Sequence, residues 1–346
     1  MKNKIIDLFS GVGGLSLGFE NAGFDIALAI DHWDDSIKTF NHNRKDKVGT
    51  TKDVYDFTDQ ELKTLKKEVI GIVGGPPCQG FSMVGTRDHK DKRNSLYLEF
   101  VRFVQIIEPK FFVLENVKGL LTLKGGSFKQ DIIKRFSDIG YNVTFKILRA
   151  SDYGVPQNRD RVFFVGLKKS YFKDKFFEFP DVNKKIVTTE EALSDLLDVE
   201  EKSETQKYKK PPKSDYQKFI RENSSLIFNH EITNHSDQTV DIISKIPDGG
   251  NIKSISQDYY KIRNYNTAFK RMNSKKPSNT IDCGHRNYFH YCKNRIPTVR
   301  ESARIQSFPD VFEFLGSKTS QYKQVGNAVP PLLAYAVAKK IKKMLL

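Results

Sequence analysis

An α/β fold is predicted for this chain of 346 residues: a largely parallel sheet covered by helices on both faces, joined to a smaller, loop-rich domain. Two observations carry that expectation. Up to residue 167, short apolar runs alternate with helix-like segments. Beyond it the alternation stops, and Lys, Glu, Asp and Ser dominate before short segments with turn signals such as Pro247-Asp248-Gly249-Gly250 take over.

The elements follow in order. Strands are predicted over 4–8, 25–30, 69–73, 111–115, 141–148 and 161–167, with helices over 34–43, 95–107 and 128–139. Thr189-Glu190-Glu191-Ala192 reads as a short capped helix, and 200–214, with Pro211-Pro212, as a linker. The end of the chain, from Pro330, is apolar on a helical period and basic on its other face. The expected domains are 1–175, completed by 318–346, and 176–317.

Composition narrows the function. Lys and Arg total 57 against 42 acidic residues, a net charge of +15 spread along the chain, and the pI is near 9.4. Such a surface suits a polyanion, most simply nucleic acid. The three cysteines, Cys78, Cys283 and Cys292, are too few and too odd in number for a secreted disulfide scaffold, and fit a reducing cytosol. Asp7 interrupts the apolar run near the start, so no signal peptide is read there. No run is long enough to span a bilayer, and no membrane partner is expected.

Chemistry-bearing residues gather at predicted strand ends. The run Gly74-Gly75-Pro76-Pro77-Cys78-Gln79 ends one strand. Its prolines stiffen the turn and its glycines admit close approach, so Cys78 is placed as a thiolate nucleophile rather than for packing. The first strand ends in Asp7-Leu8-Phe9-Ser10-Gly11-Val12-Gly13-Gly14, a turn that lets a ligand near. Asp31 stands 20 residues after Gly11, where an acid suits a ribose diol, although it would also serve as a helix-capping acid. The pyrophosphate-binding G-x-G-x-x-G is incomplete, so a nucleoside ligand without a pyrophosphate fits better. Asp53 is placed to meet an adenine amino group, or else to serve a turn. Glu115-Asn116-Val117 ends the 111 strand, and Gln157-Asn158-Arg159-Asp160-Arg161 opens the last one. If that strand runs antiparallel, Cys78, Glu115, Arg159 and Arg161 converge on one planar polar substrate.

These motifs, with Arg300-Glu301-Ser302-Ala303-Arg304-Ile305-Gln306-Ser307-Phe308-Pro309 and Gly326-Asn327-Ala328-Val329-Pro330, closely resemble the DNA cytosine-5 methyltransferase family, in its order and over most of the chain. Only about residues 168 to 260 are idiosyncratic. The resemblance implies a Rossmann-like S-adenosylmethionine-dependent methyltransferase fold with a target-recognition domain. It implies S-adenosyl-L-methionine as cofactor, with contacts from Asp7, Phe9, Gly11, Val12, Gly13, Gly14, Asp31, His32, Asp53, Val54, Pro76, Asn94, Leu96, Asn327 and Val329. The family usually has Glu where Asp31 stands, one methylene longer.

It also implies a mechanism. Cys78 adds to C6 of a flipped-out cytosine, which makes C5 able to accept a methyl group. Glu115 holds N3 and the amino group, Arg161 binds O2, and Arg159 orders Glu115 or shares the same edge. Residues 80–98 form a lid over the site, with Gly80 and Gly85 as hinges. DNA contacts are expected from Ser82, Arg87, Lys92, Arg93, Lys261, Arg263, Arg271 and Arg286. The partner is double-stranded DNA, acted on by a monomer in a bacterial-type cytoplasm, on the nucleoid. A cognate restriction endonuclease, not physically bound, is the expected functional companion. A tRNA cytosine methyltransferase and a non-catalytic DNA-binding module are the competing readings; intact Cys78, Glu115, Arg159 and Arg161 oppose the second. Cys283, His285, His290 and Cys292 sit where a hairpin would gather four zinc ligands, but their spacing matches no usual zinc pattern, and no metal is expected.

Overall fold

The computed structural model describes residues 3–77, 96–183, 185–202, 204–256, 259, 269–283 and 288–346. They form two compact units. The first comprises Met1–Arg149, Asp160–Val182 and Leu333–Leu346; the second, Ala150–Arg159 and Asn183–Leu332. This division differs from the expected boundaries in placing Ala150–Arg159 and the stretch 318–332 with the second unit, and 176–182 with the first.

The first unit is built on a seven-stranded sheet. Its strands are β1 (Lys4–Leu8), β2 (Asp25–Asp31), β3 (Gly49–Thr51), β4 (Gly71–Gly74), β5 (Phe111–Val117), β6 (Tyr141–Arg149) and, beyond the two-residue β7 (Gln157–Asn158) of the other unit, β8 (Asp160–Lys168). Their order is β3-β2-β1-β4-β5-β8-β6. All pairings from β3 to β5 are parallel, and β8 runs antiparallel to both β5 and β6. The order reverses at β1, which lies between β2 and β4. In open α/β sheets ligands collect outside the strand carboxyl ends at such a point. Because β8 is reversed, its first residues share that edge with the last residues of β5.

Continuous apolar runs explain the central strands. Ile5, Ile6, Ile72, Val73 and Phe111 to Val113 are wholly buried, as strands covered on both faces must be. Successive side chains of β5 point to opposite faces. Phe112 packs on Phe100 of α4 (Leu96–Ile107) and stacks on Phe136 of α5 (Ser127–Asp138). Phe111 packs instead on Phe24 and on Phe19 of α1 (Gly14–Asn21). The helices α2 (Asp34–His42) and α3 (Asp59–Leu65) follow β2 and β3. Leu333, Ala334, Val337, Ala338 and Ile341, buried at helical spacing, form the inner face of the last helix (Pro331–Leu345). The expected strands and helices recur with ends shifted by a residue or two; β5 and β8 run longer, to Val117 and from Asp160. β3 was not anticipated, since Gly-Thr-Thr carries no apolar signal.

The second unit is made of short helices, two-residue strands and caps. Its helix Thr189–Leu193 is opened by Thr188, which forms a capping box with Glu191, and Val299–Ile305 by Thr298 with Glu301. Arg304 is fully buried between Asp195 and Asp310 and donates to both carboxylates. Burial alone would raise the Asp310 carboxyl; the Arg304 guanidinium instead holds it below its ordinary value.

Gly166 on β8 faces the Phe112 ring, and a Cβ there would overlap it. Gly166→Ala is expected to cost roughly 1–3 kcal/mol, as overpacking of a filled core does. Urea unfolding should show a lower midpoint with an unchanged slope.

Candidate active site

The turn after β1 brings three residues into the left-handed region: Phe9 (φ 59°), Gly11 (φ 54°) and Gly13 (φ 83°). Ser10 N–H donates to Ile30 O of β2 at 3.0 Å. Gly11 N–H donates to Asp31 Oδ2 at 2.8 Å, and Trp33 N–H to Asp31 Oδ1, also at 2.8 Å. Asp31 therefore binds the glycine turn to the end of β2, and each of its oxygens keeps acceptor capacity. Among the described residues a Cβ on Gly11 would meet nothing within 4 Å, so the turn borders open space there. An acid with spare lone pairs beside open backbone fits the diol of a nucleoside. His32, next to it, is well exposed, with Nδ1 3.5 Å from Asp31 Oδ1.

Other expected cofactor residues stand differently. Asp7 is buried, its Oδ2 accepting from Ser16 Oγ at 2.5 Å and its Oδ1 without a partner among the described residues. Burial pushes its carboxyl up to about 7, against the lowering effect of the Ser16 hydrogen bond. It supports the turn from beneath and is not a surface contact, because a β1 side chain at that register faces the first turn of α1. Val12, Gly13 and Gly14 are likewise buried and shape the turn. Asp53 serves a turn, accepting from Tyr55 N–H at 3.1 Å, and the Val54 side chain is packed in the core. Leu96 packs against that core at the start of α4.

The edge formed by β5 and β8 carries the charged pair. Val117 lies opposite Arg161, so Glu115, two residues back, is the diagonal neighbour of Arg161 on the same face. Arg161 Nε pairs with Glu115 Oε1 at 2.9 Å, with both side chains nearly buried. Arg161 Nη1 also donates to Asp160 O. Glu115 Oε2 lies where a Cβ of Gly75 would come within 2.9 Å, so a side chain at Gly75 would displace the Glu115 carboxylate. Asn116 Nδ2 donates to Pro76 O at 2.8 Å, and Asn116 Oδ1 accepts from Val117 N–H. This side chain ties the Gly-Pro-Pro turn to the strand that carries Glu115. Pro76, expected at the cofactor, is thus held through its carbonyl. Cys78 itself, with Ser82, Arg87, Lys92, Arg93, Asn94, Lys261, Arg263, His285, Arg286 and nearly all of the 80–98 lid, lies outside the described residues.

Of the two arginines expected at Glu115, to order it or to share the same edge, Arg161 forms the ion pair with it. Arg159 is buried within the second unit and donates to Gly326 O at 2.7 Å and Ile281 O at 3.4 Å. Beside it, Gln157 Nε2 donates to Gln306 Oε1 at 2.6 Å, and Gln306 Nε2 donates to Val325 O and Ala328 O, both at 2.9 Å. Two separate motifs of that unit, one carrying Gln157 and Arg159 and the other Gln306, thereby fix the segment carrying Asn327 and Val329. The two glutamines were inside quoted motifs, but nothing in their spacing marks an amide relay. Asn327 is exposed, and its Oδ1 accepts from Cys283 Sγ.

Arg271 does not face DNA. It is buried and donates to Ile243 O, Ile246 O, His290 O, Lys293 O and Asn294 Oδ1, which occupies its fork inside the unit. His290 Nδ1 accepts the N–H groups of Cys292 and Lys293, so it offers no ligand atom on that side. Glu201, His230 and Glu301 approach one another, but Arg295 already bonds both carboxylates and stands where a cation would. Among the described residues no helix is long and apolar enough to cross a membrane.

A parallel sheet closed by one reversed strand, with a glycine turn bound to the acid of the next strand, defines the methyltransferase fold, whose members in general use S-adenosylmethionine. The chain belongs to the family of C-5 cytosine-specific DNA methylases, whose model matches residues 3–343, and it is a DNA cytosine-5 methyltransferase. It is 41% identical over 367 residues to the Type II methyltransferase M.DdeI of Desulfomicrobium norvegicum, covering 98% of this chain and 88% of that protein. It is 39% identical to the Type II methyltransferase M1.HphI of Haemophilus parahaemolyticus, covering 99% and 88%. Among solved structures it is similar to a protein described as a DNA modification methyltransferase encoded within an E. coli prophage, with a TM-score of 0.83, 30% identity and 99% of both chains covered. The S. pombe Dnmt2 methyltransferase, at a TM-score of 0.61 and 18% identity over 99% of this chain and 98% of its own, shares the fold.

Asp7 gives a pH signature. Its folded-state pKa lies above the ordinary 3.8, so its stabilising contribution is complete below about pH 4 and is lost as pH rises through about 7. Asp7→Asn removes this dependence. Urea unfolding should show the variant gaining roughly 2–4 kcal/mol on the parent between pH 4 and pH 8. Parallel pH profiles for the two proteins would contradict a buried, proton-holding Asp7.

Proposed function

We propose that this chain methylates C5 of a cytosine turned out of a specific duplex DNA sequence, through a covalent bond between Cys78 and C6. The observation that carries this reading is the Glu115–Arg161 pair, 2.9 Å apart, beside the turn that Asn116 holds two residues before Cys78. A carboxyl and a guanidinium on one strand edge match the N3, amino and O2 groups of cytosine. The Cys78 thiolate adds to C6 while the Glu115 carboxyl accepts from the amino group and gives a proton to N3. The ring electrons then lie toward C5, which becomes nucleophilic. Arg161 orders Glu115 and holds O2. Loss of the C5 proton after methylation re-forms the double bond and expels Cys78. S-adenosylmethionine, when bound, supplies an electrophilic methyl group, and Asp31 with the Phe9–Gly11 backbone would hold its nucleoside end. Asn327 and Val329 are assigned to the same cofactor.

A base inside a duplex is out of reach, so the target is flipped out. The stretch 80–98 is assigned as the lid, with Ser82, Arg87, Lys92 and Arg93 toward phosphates; Lys261, Arg263 and Arg286 are assigned to DNA on the target-recognition part, residues 176–317. The relatives named Type II methyltransferases support a place in a restriction–modification system, opposite an endonuclease that reads the same sequence. The enzyme is assigned to the cytoplasm and nucleoid as a monomer.

Base-resolution mapping of 5-methylcytosine in DNA from cells expressing the chain yields the target sequence. A duplex carrying 5-fluorocytosine there should trap a denaturation-resistant complex, because elimination would require loss of fluorine as a cation. Cys78→Ala should trap none, and absence of a complex with the intact protein would overturn the mechanism. Glu115→Gln is expected to lower kcat by roughly 10²–10⁴, the usual worth of a positioned acid, with DNA binding retained.

A further inference from the structure

Arg44 lies just past α2 and spends its guanidinium on three partners in the first unit. Nε and Nη2 donate to the two oxygens of Glu20, in the last turn of α1, at 2.8 and 2.9 Å. Nη1 donates to Phe40 O, in the last turn of α2, at 3.1 Å. Nη2 also donates to Gly13 O, the residue that opens α1, at 3.2 Å. The guanidinium lies over the Phe40 ring, 3.7 Å from its centroid, and the side chain is only 9% exposed. Gly13 sits on this stack: a Cβ there would come within 2.6 Å of the Phe40 ring and 2.8 Å of Arg44 Nη2.

One cation thus grips both ends of α1 and the carboxyl end of α2, where a positive charge is favoured by the helix dipole. Only a planar fork serves a bidentate carboxylate and two carbonyls at once; an ammonium does not. Asp31 holds the front of the glycine turn through Gly11 N–H, and Arg44 holds its back through Gly13 O. Between these two anchors lie Gly11 and Gly13, both in the left-handed region, with Val12 between them. A turn anchored at one end only would lose the fixed aim of Gly11 N–H at Asp31.

We infer that Arg44 is a positioning residue for the nucleoside end of the methyl donor, acting through Gly13 on the turn that faces it. This rests on the assignment of Asp31 and the glycine turn to that ligand. Trp33, the single tryptophan of the chain, stands beside the pocket, its backbone N–H donating to Asp31. The test is titration of the full-length protein with S-adenosylhomocysteine, by Trp33 fluorescence and by calorimetry, for the parent, Arg44→Met, Arg44→Lys and Asp31→Ala. Arg44→Met is expected to weaken binding roughly tenfold or more and to raise KM for S-adenosylmethionine, with kcat at saturation within about twofold. Arg44→Lys, which keeps the charge and loses the fork, should weaken binding by roughly three- to tenfold with parent-like circular dichroism, and it carries the test if Arg44→Met does not fold. Parent-like binding in Asp31→Ala would overturn the pocket assignment itself. Weak binding in Asp31→Ala beside parent-like binding in the Arg44 variants would overturn the positioning role alone.

Discussion

The reversal of β8 is the constraint on which the site depends. In an all-parallel sheet, the first residues of a strand lie at the edge opposite its neighbours' last residues. Turning one strand around places Arg161, at a strand's beginning, diagonally beside Glu115, at a strand's end. The pair is made by two rigid elements with no loop between them, so its geometry is set by the sheet register. A shift of one residue would send both side chains to opposite faces. Asn116 carries this precision one step further, to the proline turn of β4.

A second anchoring principle acts at the first turn. Asp31 takes two backbone N–H groups from two different turns, while Asp7, 24 residues earlier, is buried under the same loop with one oxygen unpartnered among the described residues. Two carboxyls close in the fold have opposite surroundings, one hydrogen-bonded near open space and the other desolvated. Their surroundings separate them: Asp31 borders the glycine turn near open space, and Asp7 is packed beneath it.

Much of this was legible in the residues. The apolar run of β5 gave way to Glu115 two residues before the strand's end, and the glycine turn stood between strand and helix. What sequence could not resolve was burial of charge. Arg159 and Arg161 are two residues apart and look alike, yet Arg161 faces the sheet edge while Arg159 serves carbonyls in the second unit. Arg271 reads as one more basic residue in an aromatic, phosphate-seeking stretch, but the carbonyls at the end of a helix (Asp237–Lys245) claim it. Nothing local distinguishes an arginine that will meet phosphate from one that will meet backbone oxygen, because both partners present the same acceptor chemistry.

The salt bridge of Arg304 with Asp195 and Asp310 has a different consequence. It staples the chain where the second unit's long excursion begins and where it returns. The span between Asp195 and Arg304 is therefore a closed loop whose ends stay put whatever its interior does. Lengthening such a loop adds only a logarithmic entropy cost. Segments inserted or exchanged within that span would leave the buried frame at its base intact.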